Sequence, residues 1–257
     1  MLYLNSIQVP VTMFPDGTSQ VWKLDTNLIL QHNHIIWEFS SESEVMHLAQ
    51  LVDLLHSQNC NNSLIIKYLP YGRQDKEITN DSTFALRTFA KILNSMNFAK
   101  VSIIDPHSII ALQLIRNSEA IYETYTVAQI TYKHQIDLLC FPDKGAFTKY
   151  SSMFTMPYAY GEKVRDQLTG NIVSYKLIGD PKDKNVLIVD DICDGGMTFK
   201  LLAKDLLAAG AKEVNLFVTH GIFSKGLRTL KDSNIKRIFT KDGEASEVQN
   251  QITYRRL

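Results

Sequence analysis

Two adjacent carboxylates, Asp190 and Asp191, follow the apolar run Val186-Leu187-Ile188-Val189 and precede Asp194-Gly195-Gly196-Met197-Thr198. These residue types at this spacing suit a sugar phosphate. Gly195 and Gly196 let the backbone bend and turn its N–H groups towards an anion. A helix opening near Thr198 adds the positive potential of its N-terminus, and Thr198 adds a hydroxyl. Asp190 and Asp191 stand too close to such a phosphate cradle to be its ligands, because like charges repel. They suit the hydroxyls of a sugar, directly or through Mg2+. Asp-Gly-Gly-Met-Thr on its own is an ordinary turn with a helix cap. The acid pair at the end of a buried strand is what sharpens the reading. No Gly-Lys-Ser/Thr follows, which excludes a Walker A loop, and no GxGxxG supports a dinucleotide fold.

Other apolar runs end in similarly loaded stretches. Leu64–Tyr68 leads into Pro70-Tyr71-Gly72-Arg73-Gln74-Asp75, and Val101–Ile104 into Asp105-Pro106-His107-Ser108. The run near 138–141 leads into Pro142-Asp143-Lys144-Gly145, and Val214–Val218 into Thr219-His220-Gly221. Open parallel sheets bind ligands beyond the carboxyl ends of their strands, so these stretches predict a ligand cleft. A lone histidine is usually structural. His107 stands out only by its place at a strand end.

The elements that must carry these residues are short β-branched runs alternating with helical-period segments. Residues 45–57, 81–94, 110–117 and 198–209 predict helices, with Asn80 or Asp81 capping the second and Gly210 ending the last. Strands are predicted at 64–68, 101–104, 137–141, 186–189, 214–219 and 235–239. The fold class is α/β with largely parallel sheets. The 257 residues suggest two domains of similar architecture at about 150 residues per domain. A weakly periodic segment before residue 137 sets the expected boundary: 1–136 as an N-terminal α/β domain, 137–257 as a C-terminal domain carrying the sugar-phosphate loop.

Composition narrows the class further. Lys plus Arg and Asp plus Glu number 27 each, for a net charge of zero, so no charge argument favours nucleic acid or a membrane surface. Three cysteines without CxxC spacing argue against a disulfide framework or a Cys-rich zinc site and for a reduced compartment. The N-terminus lacks the basic start and unbroken apolar run of a signal peptide. A cytoplasmic protein is expected.

The chain resembles the ribose-phosphate diphosphokinases, also called phosphoribosyl pyrophosphate (PRPP) synthetases, from Phe14 to about Ser224. Phe14-Pro15-Asp16-Gly17 is similar to the family's Phe-x-Asp/Asn-Gly-Glu loop. Tyr68-Leu69-Pro70-Tyr71-Gly72-Arg73-Gln74-Asp75 is similar to its ATP-binding Tyr-Phe-Pro-Tyr-Ala-Arg-Gln-Asp segment. Asp105-Pro106-His107-Ser108, Phe141-Pro142-Asp143-Lys144-Gly145, Lys163-Val164-Arg165 and Thr219-His220-Gly221 resemble further family segments in family order. The resemblance implies two phosphoribosyltransferase-type domains. It implies transfer of the β,γ-diphosphoryl group of ATP to the anomeric hydroxyl of ribose 5-phosphate, giving PRPP and AMP, an EC 2.7.6.1-type reaction. By the same resemblance Asp190 and Asp191 hold the sugar hydroxyls, and the loop Asp194, Gly195, Gly196, Met197 and Thr198 holds the 5-phosphate. Arg73, Gln74, Asp75 and His107 meet ATP, with Phe14 and Asp16 from a neighbouring subunit. His107 and Asp143 hold Mg2+, and Lys163 and Arg165 close over the transferring group from a flexible loop. A homo-oligomer, dimer or hexamer, with the nucleotide site near a subunit interface is implied too.

The chain departs from the family at several positions. Gly195 stands where the family loop has Thr, and Met197 where it has Gly. Thr18 replaces a Glu, Ala146 a Gly, and the basic residue of that segment is found only at Lys149. The chain is shorter than ordinary members, so phosphate or ADP regulation is not carried over. The changed loop keeps a second acceptor open: ADP-ribose, used by divergent relatives in NAD salvage. A base-transferring phosphoribosyltransferase and a non-catalytic regulatory partner of a synthetase are the remaining readings.

Overall fold

The structure, a computed structural model, describes residues 1–165, 172–248 and 251–255. The chain divides into two compact units, Met1–Tyr122 and Glu123–Leu257. This division falls earlier than the expected boundary at 136. The helix that follows Tyr122 and lies before residue 137 goes with the second unit.

The first unit runs β1 (Leu2–Leu4), β2 (Ile7–Gln8), β3 (Val11–Met13), β4 (Ser19–Val21), β5 (His32–Trp37), α1 (Ser43–Ser57), β6 (Asn61–Ile66), α2 (Ala85–Ser95), β7 (Lys100–Ile104), α3 (Ile110–Leu114) and β8 (Ser118–Ile121). Its sheet has the order β2-β1-β5-β6-β7-β8. β5 to β8 are parallel, and β1 and β2 add an antiparallel edge. Parallel neighbours need crossovers, which α1, α2 and α3 supply. α1 buries Leu48, Leu51, Val52 and Leu55, the stripe expected of a helix lying on a sheet. Each such side chain contributes about 1.5–3 kcal/mol by leaving water.

The second unit runs α4 (Thr124–Lys133), β9 (Leu138–Phe141), α5 (Lys144–Tyr150), β10 (Tyr158–Arg165), β11 (Ile172–Ile178), β12 (Asn185–Cys193), α6 (Met197–Ala208), β13 (Glu213–Gly221), α7 (Arg228–Lys231), β14 (Ile235–Thr240), β15 (Gly243–Val248) and β16 (Gln251–Arg255). The order is β11-β10-β9-β12-β13-β14-β15-β16. The central strands β10, β9, β12, β13 and β14 are parallel, and β11, β15 and β16 are antiparallel additions. β9 is buried at every residue, as a strand covered on both faces must be. α6 packs Phe199, Leu202, Ala203 and Leu206 into the core. Phe141 meets Phe147 and Tyr150 of α5. The architecture is α/β with mainly parallel central sheets, as the strand–helix alternation predicts.

Three expectations are corrected. The helix predicted over 81–94 begins only at Ala85, and neither Asn80 nor Asp81 caps it. Asp81 is engaged by the Thr79 hydroxyl at 2.5 Å, while the backbone carbonyl of Gln74 accepts from Leu86 N at 3.2 Å and so closes the helix start. The weakly periodic segment before residue 137 holds β8 and α4. Its pattern was hidden because edge strand β8 alternates half-buried and exposed. Lys163 and Arg165, expected on a loop, have strand backbone in β10, where Lys163 pairs with Tyr175 of β11.

Candidate functional site

β9, β12 and β13 are parallel neighbours, so their carboxyl ends share one edge of the second sheet. β12 continues through both acids to Cys193, with Asp190 in register with Val218. The acids are therefore held by the sheet rather than by the turn after it. Asp191 is only 5% exposed, and Lys149 Nζ lies 3.7 Å from its Oδ2. Asp143 caps α5, accepting from Ala146 N at 2.9 Å. Burial first, then the negative charges of Asp191 and Asp143, push the Asp190 carboxyl well above the usual carboxylate range. Two carboxyls so close at this edge do not both ionise freely.

The turn after β12 is shaped by its glycines and by a neighbour. Gly196 has φ +75°, and a Cβ there would sit 2.7 Å from Leu230 Cδ2. Only glycine meets both conditions. Gly195 has no atom within 4 Å of where its Cβ would be, so the space beside it is open. α6 then starts at Met197, with no side-chain cap from Gly196. Its first N–H groups lack intrahelical acceptors, as at any helix start. Cys193 O accepts from Ile222 N at 2.8 Å, joining this turn to the end of β13. Gly221, after His220, is needed because Phe223 Cε2 would come within 2.1 Å of a Cβ.

In the first unit β6 and β7 are parallel neighbours, and the Arg73 and His107 segments leave adjacent strand ends. A Cβ on Gly72 would lie 3.8 Å from His107 Cβ, so the two segments are in contact. Arg73, Gln74 and His107 are exposed, and Asp75 is half-buried. Asp105 is buried with φ +43°. Its N–H donates to Ile121 O at 2.8 Å, extending the β7–β8 pairing to within two residues of His107.

The model of the phosphoribosyl transferase domain family matches residues 102–253, more than half of the chain. The chain belongs to that family. It is 28% identical over 233 residues to a ribose-phosphate pyrophosphokinase of Pyrococcus abyssi (strain GE5 / Orsay), covering 86% of this chain and 79% of that protein. It is 24% identical over 278 residues to one of Saccharolobus solfataricus, covering 98% and 92%. The crystal structure of phosphoribosylpyrophosphate synthetase from Mycobacterium smegmatis has the same fold, with a TM-score of 0.74 and 20% identity over 91% of this chain and 79% of that one. At the family level, this phosphoribosyl transferase domain protein is similar to the ribose-phosphate pyrophosphokinases.

Within the phosphoribosyl transferase domain protein, the expected residues fall into separate groups. Asp143, Asp190, Asp191 and the turn from Asp194 to Thr198 gather in the second unit. Arg73, Gln74, Asp75 and His107 gather in the first. Phe14 and Asp16 lie in the turn of the β3–β4 hairpin, where Asp16 Oδ1 accepts from Thr18 N and the Thr18 hydroxyl. The hydrogen bonds from Thr18 lower the Asp16 carboxyl. Phe14 is exposed. Met197, expected to add bulk at the cradle, is 60% exposed. The side chains of Lys163 and Arg165 lie outside the described residues. Sequence reasoning placed Lys149 only as a displaced basic residue and missed that it meets Asp191. The signal was present: Asp143 and Lys149 are both ends of one short helix that opens at a strand end.

Proposed function

We propose that this protein transfers the β,γ-diphosphoryl group of ATP to the anomeric hydroxyl of ribose 5-phosphate. The anomeric oxygen forms the new bond to the β-phosphorus and gives up its proton to solvent, the bond from that phosphorus to the α,β-bridging oxygen breaks, and AMP leaves with that oxygen. The observation that carries this reading is the course of β12. It brings two acids on a rigid strand directly into the Gly195-Gly196 turn and the N-terminus of α6. Asp190 and Asp191 bind the ribose hydroxyls, and the turn from Asp194 to Thr198 binds the 5-phosphate through backbone N–H groups and the Thr198 hydroxyl. Arg73 grips nucleotide phosphate oxygens with its planar fork, beside Gln74, Asp75 and His107. Phe14 and Asp16, from a neighbouring copy in a homo-oligomer, complete the nucleotide site.

Phosphoryl-type transfer needs charge neutralisation and in-line placement more than covalent help. Lys163 and Arg165 neutralise the transferring group as it moves. Mg2+ fits the donors present. Among the described residues no three His, Cys, Asp or Glu side chains form a metal cage, and Mg2+ is commonly held by one or two carboxylates together with substrate phosphates. Asp143 would offer it a carboxylate in the second unit, with substrate phosphates supplying further oxygens, and it would neutralise the diphosphoryl charge when bound.

A second acceptor is favoured by one observation. Gly195 lacks the hydroxyl that the family loop offers a terminal phosphate, and no atom lies within 4 Å of where its Cβ would be, which leaves room for a substituted phosphate. ADP-ribose carries such a phosphate. The test is a product assay. Protein and Mg-ATP are incubated separately with ribose 5-phosphate and with ADP-ribose, and AMP and acceptor mass are followed. A diphosphorylated ribose 5-phosphate supports the first reading, and turnover of ADP-ribose alone supports the second. AMP formed with neither acceptor, or no reaction at all, overturns both.

A further inference from the structure

We propose that Tyr71 is a positioning residue for Arg73, held in a strained conformation by Glu42 so that the guanidinium faces the nucleotide. The inference rests on the reading of the Arg73 turn as part of a nucleotide site. Tyr71 has φ +62°. A bulky aromatic residue takes that left-handed conformation only where its surroundings impose it.

The surroundings are explicit. The Tyr71 hydroxyl donates to Glu42 Oε1 at 2.7 Å, and Glu42 is the residue that precedes α1. The Tyr71 ring packs against Phe89 of α2, with centroids 5.4 Å apart. The side chain thus spans from the start of one helix to the body of another. Its backbone carbonyl accepts from Gln74 N at 2.9 Å, closing a turn around Gly72 and Arg73. Gln74 O in turn accepts from Leu86 N at the start of α2. Both ends of the Arg73 turn are therefore anchored, while Arg73 itself is exposed. Gly72, on the inner side, donates its N–H to Leu69 O at 3.3 Å, and a Cβ built on it would lie 3.8 Å from His107 Cβ. Returning Tyr71 to the ordinary backbone region would swing Gly72 and Arg73 away from His107. Neither the phenol nor Glu42 is required to touch nucleotide for this role.

The test is Mg-ATP affinity by calorimetry on the full chain, with Tyr71→Phe, Glu42→Gln, Arg73→Ala and the Tyr71→Phe/Arg73→Ala double variant. Tyr71→Phe and Glu42→Gln are each expected to weaken Mg-ATP about fivefold, the loss of one hydrogen bond that shapes a site. Arg73→Ala is expected to weaken it more, and Tyr71→Phe to add less than about twofold on top, because the two act through one group. Glu42 is exposed, so Glu42→Gln keeps the test valid if Tyr71→Phe folds poorly. Full affinity in both Tyr71→Phe and Glu42→Gln, or a fully additive double variant, overturns the inference. So does a Tyr71→Phe protein that melts early yet binds Mg-ATP like the parent, since that marks a purely structural tyrosine. If the unsubstituted chain does not bind Mg-ATP, the nucleotide reading itself falls and the inference with it. If Arg73→Ala alone binds normally, only the Arg73 role and its positioning residue are removed.

Discussion

Asp194 Oδ1 accepts two hydrogen bonds from Ser224, one from its N–H at 3.1 Å and one from its hydroxyl at 2.5 Å. The pair ties the turn after β12 to the turn after β13, and so joins two neighbouring strand ends through their loops. Ser224→Ala removes one of these bonds and leaves Asp194 in place. The acceptor KM is expected to rise about fivefold, the worth of one bond to a charged group reduced by its exposure. The KM for ATP and the melting temperature should change little. Steady-state kinetics with both substrates varied decides it. An unchanged acceptor KM would show that the turn keeps its shape without the pair.

The two glycines of the turn should respond oppositely to added side chains. Gly196→Ala meets both a left-handed backbone and the Leu230 side chain, and is expected to cost about 1–3 kcal/mol of stability. Gly195→Thr enters open space and should leave stability within about 0.5 kcal/mol. It should also tighten a terminal phosphate relative to a substituted one. Denaturant unfolding reads the first contrast, and relative kcat/KM for ribose 5-phosphate and ADP-ribose reads the second.

Asp190 sits on a buried strand beside two other carboxylates, and its folded pKa is raised. A raised pKa means that the stability it allows is present at low pH and is lost as pH rises above the usual carboxylate range. Asp190→Asn should therefore raise the melting temperature near neutral pH, with the gain shrinking as the pH falls towards 4. The same variant should weaken sugar binding, measured by calorimetry. A variant no more stable than the parent at pH 7 would refute the assignment of the burden to Asp190.

Glu44 carries the opposite sign. Burial acts to raise its carboxyl, but hydrogen bonds from the chain's amino terminus, from Ser40 and from Trp37 Nε1 outweigh it and bring it down to about 2. A lowered pKa contributes stability above the ordinary glutamate value of 4.5, and that stability is lost as pH falls from there through about 2. Glu44→Gln should be less stable at pH 7 and should show a flatter stability profile between about pH 5 and 2. Urea unfolding at a series of pH values checks it.

Much of this was legible in the residues themselves. The apolar runs before Arg73, His107, Asp143, Asp190 and His220 are strands because β-branched and aliphatic side chains covered on both faces leave a local signature. The loaded stretches after them were legible for the same reason, since polar groups that cannot be buried stand out at the end of a buried run. The family segments could be matched because each is short and contiguous.

Other features were decided by contacts distant in the chain. That β9, β12 and β13 are neighbours, and so bring Asp143, Asp190 and Thr219 to one sheet edge, is a matter of strand order, which no local pattern encodes. The raised carboxyl of Asp190 comes from burial and two other charges, one of them across a strand pair. Lys149 meets Asp191 only because α5 folds back on β12. The capping of α2 by Gln74 rather than Asp81, and the left-handed Tyr71 held by Glu42, depend on hydrogen bonds between segments the sequence keeps apart. Side-chain type and local periodicity set which residues could do chemistry. Tertiary packing decided which of them share an edge, which charge each feels and which backbone each must adopt, because those energies belong to pairs of residues rather than to single ones.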